Sequence, residues 1–117
     1  MAYKYQGSGS SGAPSWFLQR VTGLVLVIVM VGHYVLMHYN LDSGHTFAAV
    51  LQRMRDPFWK MFDLTFITLG LYHGLNGTWN VFRDYKSRPA ISLTIYGIIL
   101  VAGVAFWLLG VNTILSF

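Results

Sequence analysis

Three long apolar runs constrain the fold of this chain more than any other feature. They cover residues 21–37, 61–82 and 91–115 of a 117-residue sequence that is 55% hydrophobic and 10% charged. A soluble domain has about 25% charged residues. A bilayer core of about 30 Å is crossed by roughly 20 helical residues, and each run reaches that length once its flanking aromatic residues are included. The pattern therefore indicates helices that cross a membrane.

We predict an all-α integral membrane protein with three transmembrane helices at about 15–39, 58–83 and 90–115. The aromatic residues that bracket the first run and open the second suit a membrane–water interface. Between these runs, residues 43–54 place apolar side chains at helical spacing, which predicts a short amphipathic helix on the outer surface. Three helices bury little area of their own, so we expect a partner subunit.

The first 14 residues are rich in glycine and serine, which predicts a flexible cytoplasmic tail ahead of a single transmembrane domain at residues 15–117. Basic residues are more frequent on the side that holds the N-terminus. The positive-inside rule therefore places the N-terminus in the cytoplasm. No Arg-rich amphipathic presequence opens the chain, which favours the inner membrane of a prokaryote over that of an organelle.

The composition excludes several kinds of chemistry. The chain has no cysteine, which rules out iron–sulfur clusters and disulfides within it, and no Ser/His/Asp or HExxH arrangement is present. We therefore predict no catalytic residues. Of the four acidic residues, Asp63 lies about one turn inside the second predicted span. We expect it to pair with Lys60, and a role in a proton path is the alternative. Membrane topology accounts for the net charge of +4, so we expect no binding of nucleic acid.

Polar residues interrupt the second apolar run over residues 73–85. Polar and ionisable groups are costly in hydrocarbon, so their presence there favours a function. At about 100° per residue, Asn76 and Gly77 share one face of the helix with His73. Such a face lets either a flat macrocycle or another helix approach closely. From the residues alone, cofactor ligation by His73 and a packing contact remain equally open.

The four histidines are expected at different depths. His45 falls in the outer loop, and His38 near the outer end of the first helix. By helical rise, His73 lies ~14 Å from the cytoplasmic end of its helix, and His33 lies ~25 Å from the cytoplasmic side. The difference of ~11 Å is too large for both to ligate the iron of one haem lying across the membrane. If each binds iron, each needs a second ligand from another chain.

The second predicted helix resembles that of the membrane-anchor subunits of succinate dehydrogenase and fumarate reductase, known as respiratory complex II. The likeness rests on Asp-Pro-Phe-Trp-Lys-Met-Phe-Asp at 56–63, His-Gly-Leu-Asn-Gly at 73–77 and Arg-Asp-Tyr at 83–85. Residues 15–23 are also similar to the Arg-x-(Ser/Thr)-Gly start of the first helix in these anchors. The resemblance covers nearly all of residues 15–117, and the second helix carries its distinctive motif.

This resemblance implies a cytochrome b-type anchor in which His73 is an axial ligand of haem b. It also implies a quinone site at the cytoplasmic edge, bordered by Asp84 and Tyr85, because Tyr85 follows His73 by the twelve residues typical of the family. Arg20 and Trp16 are expected as further walls of that site.

The number of haems stays open at one or two. Gly32-His33 resembles the first-helix ligand of the two-haem members, which makes His33 the candidate ligand of a second haem iron. His38 is the alternative outer ligand, and it lies about 140° around the helix from His33, so both cannot face one partner. We prefer His33 because it lies deeper, where an unused imidazole is more costly.

The resemblance further implies electron transport linked to the tricarboxylic acid cycle. In that family a flavoprotein subunit oxidises succinate, an iron–sulfur subunit carries the electrons, and quinone is reduced at the membrane. This chain would anchor both subunits in the membrane lipid as half of a two-subunit anchor bundle and share each haem with a sister membrane-anchor subunit. It would be part of an enzyme as a subunit of succinate dehydrogenase without the catalytic flavin, and whether the isolated chain is an enzyme stays open. Two alternatives stay open: a haem-free membrane anchor or assembly subunit, and another cytochrome b, such as a b561-like electron-transfer subunit.

Overall fold

The computed structural model describes residues 12–39, 45–85 and 88–117, and every regular element in these ranges is an α-helix. The helices are α1 (Gly12–Tyr39), α2 (Phe47–Arg55), α3 (Pro57–Asp84) and α4 (Pro89–Leu115). The all-α prediction is confirmed, and the short helix expected between the first two long ones is present as α2. Residues 1–11 of the predicted tail and residues 43–44 lie outside the described residues.

The long helices begin slightly earlier than predicted. α1 starts at Gly12, so residues 12–14, which were assigned to the flexible tail, are helical. Pro14 fits there because the first N–H groups of a helix have no acceptor within it. α3 and α4 each begin at a proline, Pro57 and Pro89, whose fixed backbone angle suits the first helical position.

A single residue joins α2 to α3. Asp56 ends α2, with its N–H donating to the Arg53 carbonyl oxygen at 3.0 Å. The same residue caps α3, because its carboxylate accepts a hydrogen bond from the Phe58 N–H at 2.8 Å. We term this junction the Asp56 corner.

α3 is the central helix, with α1 and α4 antiparallel to it on its two sides. Ser15 near the start of α1 bonds to Asn76 late in α3, whereas His33 near the end of α1 packs on Phe66 earlier in α3. These two contacts fix the register of the antiparallel pair.

Glycines bring α4 close to α3. A Cβ added to Gly103 would overlap the side chain of Leu75, and one added to Gly110 would overlap that of Ile67. The two glycines are seven residues apart, so both lie on the face of α4 that receives the larger side chains of α3. The absence of side chains at these positions therefore sets the distance between the helices.

The described part of the chain has almost no core of its own. Its buried residues are Thr22, Leu26, Ala49, Met54 and Gly103. Many large apolar side chains face outward, among them Leu24, which is 68% exposed, and Phe47 of the amphipathic α2, which is 73% exposed. Exposed apolar surface on this scale is typical of a chain surrounded by lipid or covered by a partner.

Two of the described helices, α1 and α4, are long and apolar enough to cross a membrane. α3 is as long as α1, with 28 residues each, but it does not reach the same hydropathy. Its polar segment at 73–85, together with Lys60 and Asp63, lowers its average. The described residues thus contain two candidate spans by composition, where three were predicted.

Candidate functional site

Polar side chains join α1 to α3 near the N-terminal end of α1, in an arrangement that we term the polar ladder. Its members are Ser15, Gln19 and Thr22 on α1 and His73 and Asn76 on α3. The three α1 residues follow one another at intervals of four and three, which places them on one face of the helix. The two α3 residues, three apart, form the matching face.

Within the polar ladder, a continuous chain of hydrogen bonds joins Ser15, Asn76, Gln19 and the backbone of His73. The Ser15 hydroxyl donates to Asn76 Oδ1 at 2.7 Å, and Asn76 Nδ2 donates to Gln19 Oε1 at 2.7 Å. Gln19 Nε2 then donates to the backbone carbonyl oxygen of His73 at 3.2 Å. Side chains of α1 therefore satisfy the side-chain amide of Asn76 on α3, at a position where an unpaired polar group would be costly.

The imidazole of His73 has a neighbour from α1 at each ring nitrogen. Thr22 Oγ1 lies 3.1 Å from Nδ1, and Gln19 Nε2 lies 3.4 Å from Nε2. The first distance is that of an ordinary hydrogen bond, whereas the second is longer than usual. The ring is thus held at Nδ1 and only loosely contacted at Nε2.

Glycines on both helices shape the space around this ring. A Cβ added to Gly23 would lie 3.0 Å from His73 Cε1, and one added to Gly77 would lie 3.1 Å from Gln19 Nε2. The helices can approach at this level because both positions lack side chains. On another part of α3, a Cβ at Gly70 or Gly74 would meet no atom within 4 Å, so that surface is open.

His33 lies at the other end of the α1–α3 interface. Its ring centroid is 5.2 Å from that of Phe66, and its Nδ1 is buried without a hydrogen-bond partner in the described residues. Asp63 interacts electrostatically with His33 and Arg53, and the expected pairing of Asp63 with Lys60 is not formed. The part of the chain that the structure describes holds no cluster of three His, Asp or Glu side chains suited to a metal ion.

His38 and His45 belong to a separate aromatic group near the C-terminal end of α1. The His38 ring lies 4.4 Å from that of Tyr34 and 5.7 Å from that of His45. Both histidines are exposed, and neither is in the α1–α3 interface. The structure thus separates His38 from His33, which faces α3.

Asp84 and Tyr85 lie at the far end of α3. Asp84 is the last residue of the helix, and Tyr85 caps it with an N–H that donates to the Phe82 carbonyl oxygen at 3.2 Å. The Tyr85 side chain is 74% exposed. The phenol is therefore available to a ligand or a partner at this end of the bundle.

Arg20 and Trp16 form their own pair on α1. The Arg20 guanidinium lies 3.6 Å from the centroid of the Trp16 ring, and Nη1 donates to the Trp16 carbonyl oxygen at 3.3 Å. Within the described ranges, no hydrogen bond or ring contact joins this pair to Asp84 or Tyr85. Tyr85 follows Asn76, the partner of Ser15, by nine residues and so lies ~13 Å further along the α3 axis. The structure does not bring the four predicted quinone residues into one cluster.

Sequence reasoning assigned no contact to Gln19 or Thr22, although both bear directly on His73. The signal that could have found them is the spacing of Ser15, Gln19 and Thr22, which puts three polar side chains on one face of an otherwise apolar helix.

Comparisons with known proteins agree with this architecture. Residues 3–109 match the family described as succinate dehydrogenase/fumarate reductase transmembrane subunit. The chain is similar to the succinate dehydrogenase hydrophobic membrane anchor subunit of Thermoplasma acidophilum, with 34% identity over 62% of this chain and 60% of that protein. It is also similar to the subunit of the same name from Rickettsia conorii, with 32% identity over 79% of this chain and 72% of that protein.

The family match covers most of the chain, and the all-helical fold contains two helices apolar enough to span a membrane. The chain therefore belongs to the transmembrane subunits of succinate dehydrogenase and fumarate reductase, as a membrane anchor subunit of the succinate dehydrogenase type.

Proposed function

We propose that this chain is the cytochrome b-type anchor of a succinate:quinone oxidoreductase, that it ligates haem b through His73, and that it forms part of a quinone site. The observation that carries the proposal is the environment of His73, an imidazole that lies between the long helices α1 and α3, contacts Thr22 and packs closely on Gly23. Ionisable groups at such depth are retained where they have a function.

The residues around His73 fit a haem ligand. Nε2 has as its neighbour an amide nitrogen at 3.4 Å, which does not engage it in a strong hydrogen bond. The open surface at Gly70 and Gly74 leaves room for a flat group beside α3. A bound haem supplies one-electron transfer, and its potential depends on its axial ligands and on the hydrogen bonds that these make. The contribution of this chain is to hold and orient the imidazole.

The second axial ligand comes from a sister membrane-anchor subunit. His33 packs on Phe66, which precedes His73 by seven residues, so the two imidazoles differ in depth by ~10 Å. They cannot ligate one iron together, and His38 and His45 lie further out still. This separation also disfavours a b561-like cytochrome, in which both ligands of a haem belong to one chain.

His33 is the candidate ligand of a second haem. Its support is narrower than that of His73: the ring lies in the α1–α3 interface, and a buried nitrogen without a partner is costly to keep. One haem at His73 is the core of the proposal, and the second haem at His33 extends it.

The quinone site lies at the end of α3, where the exposed Tyr85 phenol donates a hydrogen bond to a quinone carbonyl. Asp84 orients the phenol or relays a proton. The Trp16–Arg20 pair is set deeper along α1, on its exposed surface, and forms a further wall of the site. Because these residues do not touch, the sister anchor and the iron–sulfur subunit supply the remaining walls.

α3 crosses the membrane together with α1 and α4, which makes three spans. Both neighbours run antiparallel to it, and the polar ladder satisfies two of the groups that lower its hydropathy, His73 and Asn76. The excess of basic residues at the end that carries Tyr85 places this end and the N-terminus in the cytoplasm. The membrane is the inner membrane of a prokaryote.

The outward apolar faces of the described helices require covering, which supports a sister anchor and lipid as neighbours. Arg83 and Arg88, with Lys86 outside the described residues, put positive charge beside the quinone end. The iron–sulfur subunit docks at this end and connects the anchor to the flavoprotein subunit.

A dithionite-reduced spectrum of the purified complex tests the proposal. We expect the α-band of a low-spin haem b, its loss in His73→Ala, and its retention in His45→Ala, a change at an exposed histidine outside the interface. A His73→Ala complex that keeps all its haem would contradict the assignment. The pyridine haemochrome yield per flavin counts the haems.

One alternative has a specific observation in its favour. Each nitrogen of His73 already has a neighbour within the chain, as expected for a packing histidine in a haem-free anchor or assembly subunit. The same spectrum separates the two readings, because a haem-free anchor gives no α-band in the wild-type complex.

A further inference from the structure

The hydroxyl oxygen of Thr22 is buried and has polar neighbours on both α1 and α3. Thr22 is 5% exposed, and its Oγ1 lies 2.7 Å from the Leu18 carbonyl oxygen and 3.3 Å from that of Gln19. A carbonyl oxygen can only accept, so the single hydroxyl proton is used within α1. Thr22 Oγ1 lies 3.1 Å from His73 Nδ1 and therefore has only a lone pair free to interact with that nitrogen.

We propose that Thr22 is a positioning residue that fixes the tautomer of His73, with the proton on Nδ1 donated to Thr22 Oγ1 and the lone pair left on Nε2. The inference rests on the proposed function, since the tautomer matters because a neutral imidazole ligates iron through its unprotonated nitrogen. Thr22 acts through His73 and does not itself reach the iron.

Gln19 selects the same tautomer independently. Its amide orientation is fixed at both ends, because Nε2 donates to the His73 carbonyl oxygen and Oε1 accepts from Asn76 Nδ2. The group that faces His73 Nε2 is consequently a donor. In the opposite tautomer two N–H donors would face each other there, and the Nδ1 lone pair would face a hydroxyl oxygen whose proton is already used.

The consequence for a bound haem is electronic as well as geometric. A ligating histidine that donates its other N–H to an acceptor is held in one orientation and becomes a more basic ligand. A more basic ligand stabilises ferric iron, so the Thr22 hydroxyl lowers the haem midpoint potential.

The test uses the purified complex with Thr22→Val, which removes the acceptor at nearly constant volume, and Thr22→Ser, which keeps it. The matched control is Thr78→Val, because Thr78 is exposed on α3 and makes the same kind of bond to a backbone carbonyl, that of Gly74 at 2.7 Å, away from the imidazole. Thr22→Val should weaken haem retention by about 10-fold, as expected for loss of a hydrogen bond to a ligand. It should also raise the midpoint potential and shift the ferric spin-resonance spectrum, while Thr22→Ser and Thr78→Val behave as wild type.

A second measurement does not depend on how Thr22→Val folds. In the wild-type full chain prepared without haem and labelled with isotopic nitrogen in histidine, the resonance that disappears in His73→Gln should report a protonated Nδ1 and an unprotonated Nε2. A protonated Nε2 overturns the inference.

The two proposals fail in different ways. If His73→Ala retains its haem, the proposed function is wrong. If His73→Ala loses its haem while Thr22→Val and Thr78→Val have equal potentials and equal haem retention, the role of Thr22 alone is wrong.

Discussion

Gly23 on α1 lies directly against the imidazole of His73 on α3, so close that a Cβ on Gly23 would stand 3.0 Å from Cε1. The backbone of α1 thus forms one side of the space that holds the imidazole ring. With Thr22 holding Nδ1 from the next position on the same helix, the orientation of the ring depends on how α1 packs against α3.

Gly23→Ala should tilt the ring, since a contact at this distance forces a neighbour to move by a few tenths of an ångström. We expect a shifted α-band and an altered ferric spin-resonance spectrum in the purified complex, with partial loss of haem. Gly32→Ala is the matched control on the same helix, because a Cβ there meets no atom of the described residues within 4 Å. Identical spectra for both variants would contradict the close contact between Gly23 and the His73 ring.

His33→Ala tests the second haem. If His33 ligates iron, the pyridine haemochrome yield should fall from two haems per flavin to one, with the spectrum of the remaining haem unchanged. His38→Ala should leave the yield intact, because its ring packs on Tyr34 outside the α1–α3 interface. A yield of one haem in both wild type and His33→Ala would exclude the second haem.

Tyr85→Phe should slow quinone reduction by about 10-fold, the effect of losing one hydrogen bond worth about 1.4 kcal/mol in the transition state. Succinate oxidation with an artificial acceptor should stay unchanged, since the flavin site of the proposed complex is on another subunit. Tyr96→Phe is the control, because the Tyr96 ring packs on Trp79 within the bundle. Equal losses in the two assays would reject the assignment of Tyr85.

Gly103→Ala should destabilise the chain by about 1–3 kcal/mol, because the added Cβ overlaps Leu75 and forces α4 away from α3. The measurement is the thermal unfolding midpoint of the purified complex. Gly97→Ala, on the same helix with no atom within 4 Å of its Cβ, should leave the midpoint unchanged or raise it slightly. An unchanged midpoint in Gly103→Ala would mean that α4 can shift without cost.

The helices were predictable because their causes are local. Apolar runs, a proline at the first position of α3 and of α4, and the spacing of residues 43–54 all act within a few residues of one another. The early start of α1 was not predicted, because Gly-Ala-Pro at 12–14 reads as part of a flexible tail, although a first turn tolerates proline.

The candidate site was only half predictable. His73 is conspicuous as an imidazole within an apolar run, but its partners depend on which face α1 turns toward α3, a tertiary property. The same holds for Asp63, which sequence proximity paired with Lys60, whereas the structure sets it near His33 and Arg53. The prediction of three spans rested on the length of the second apolar run, whereas the average hydropathy of α3 also includes Lys60, Asp63 and the polar segment at 73–85.

The Asp56 corner has a consequence for how relatives of this chain can differ in length. Since Asp56 both ends α2 and caps α3, it is the sole residue between the two helices. Inserting one residue between Asp56 and His73 would turn the imidazole by about 100° around the helix and move it by about 1.5 Å along it, away from Thr22 and Gly23. We therefore expect insertions and deletions to accumulate before α2 and to be selected against between Asp56 and His73, because this spacing fixes the position of the His73 imidazole along α3.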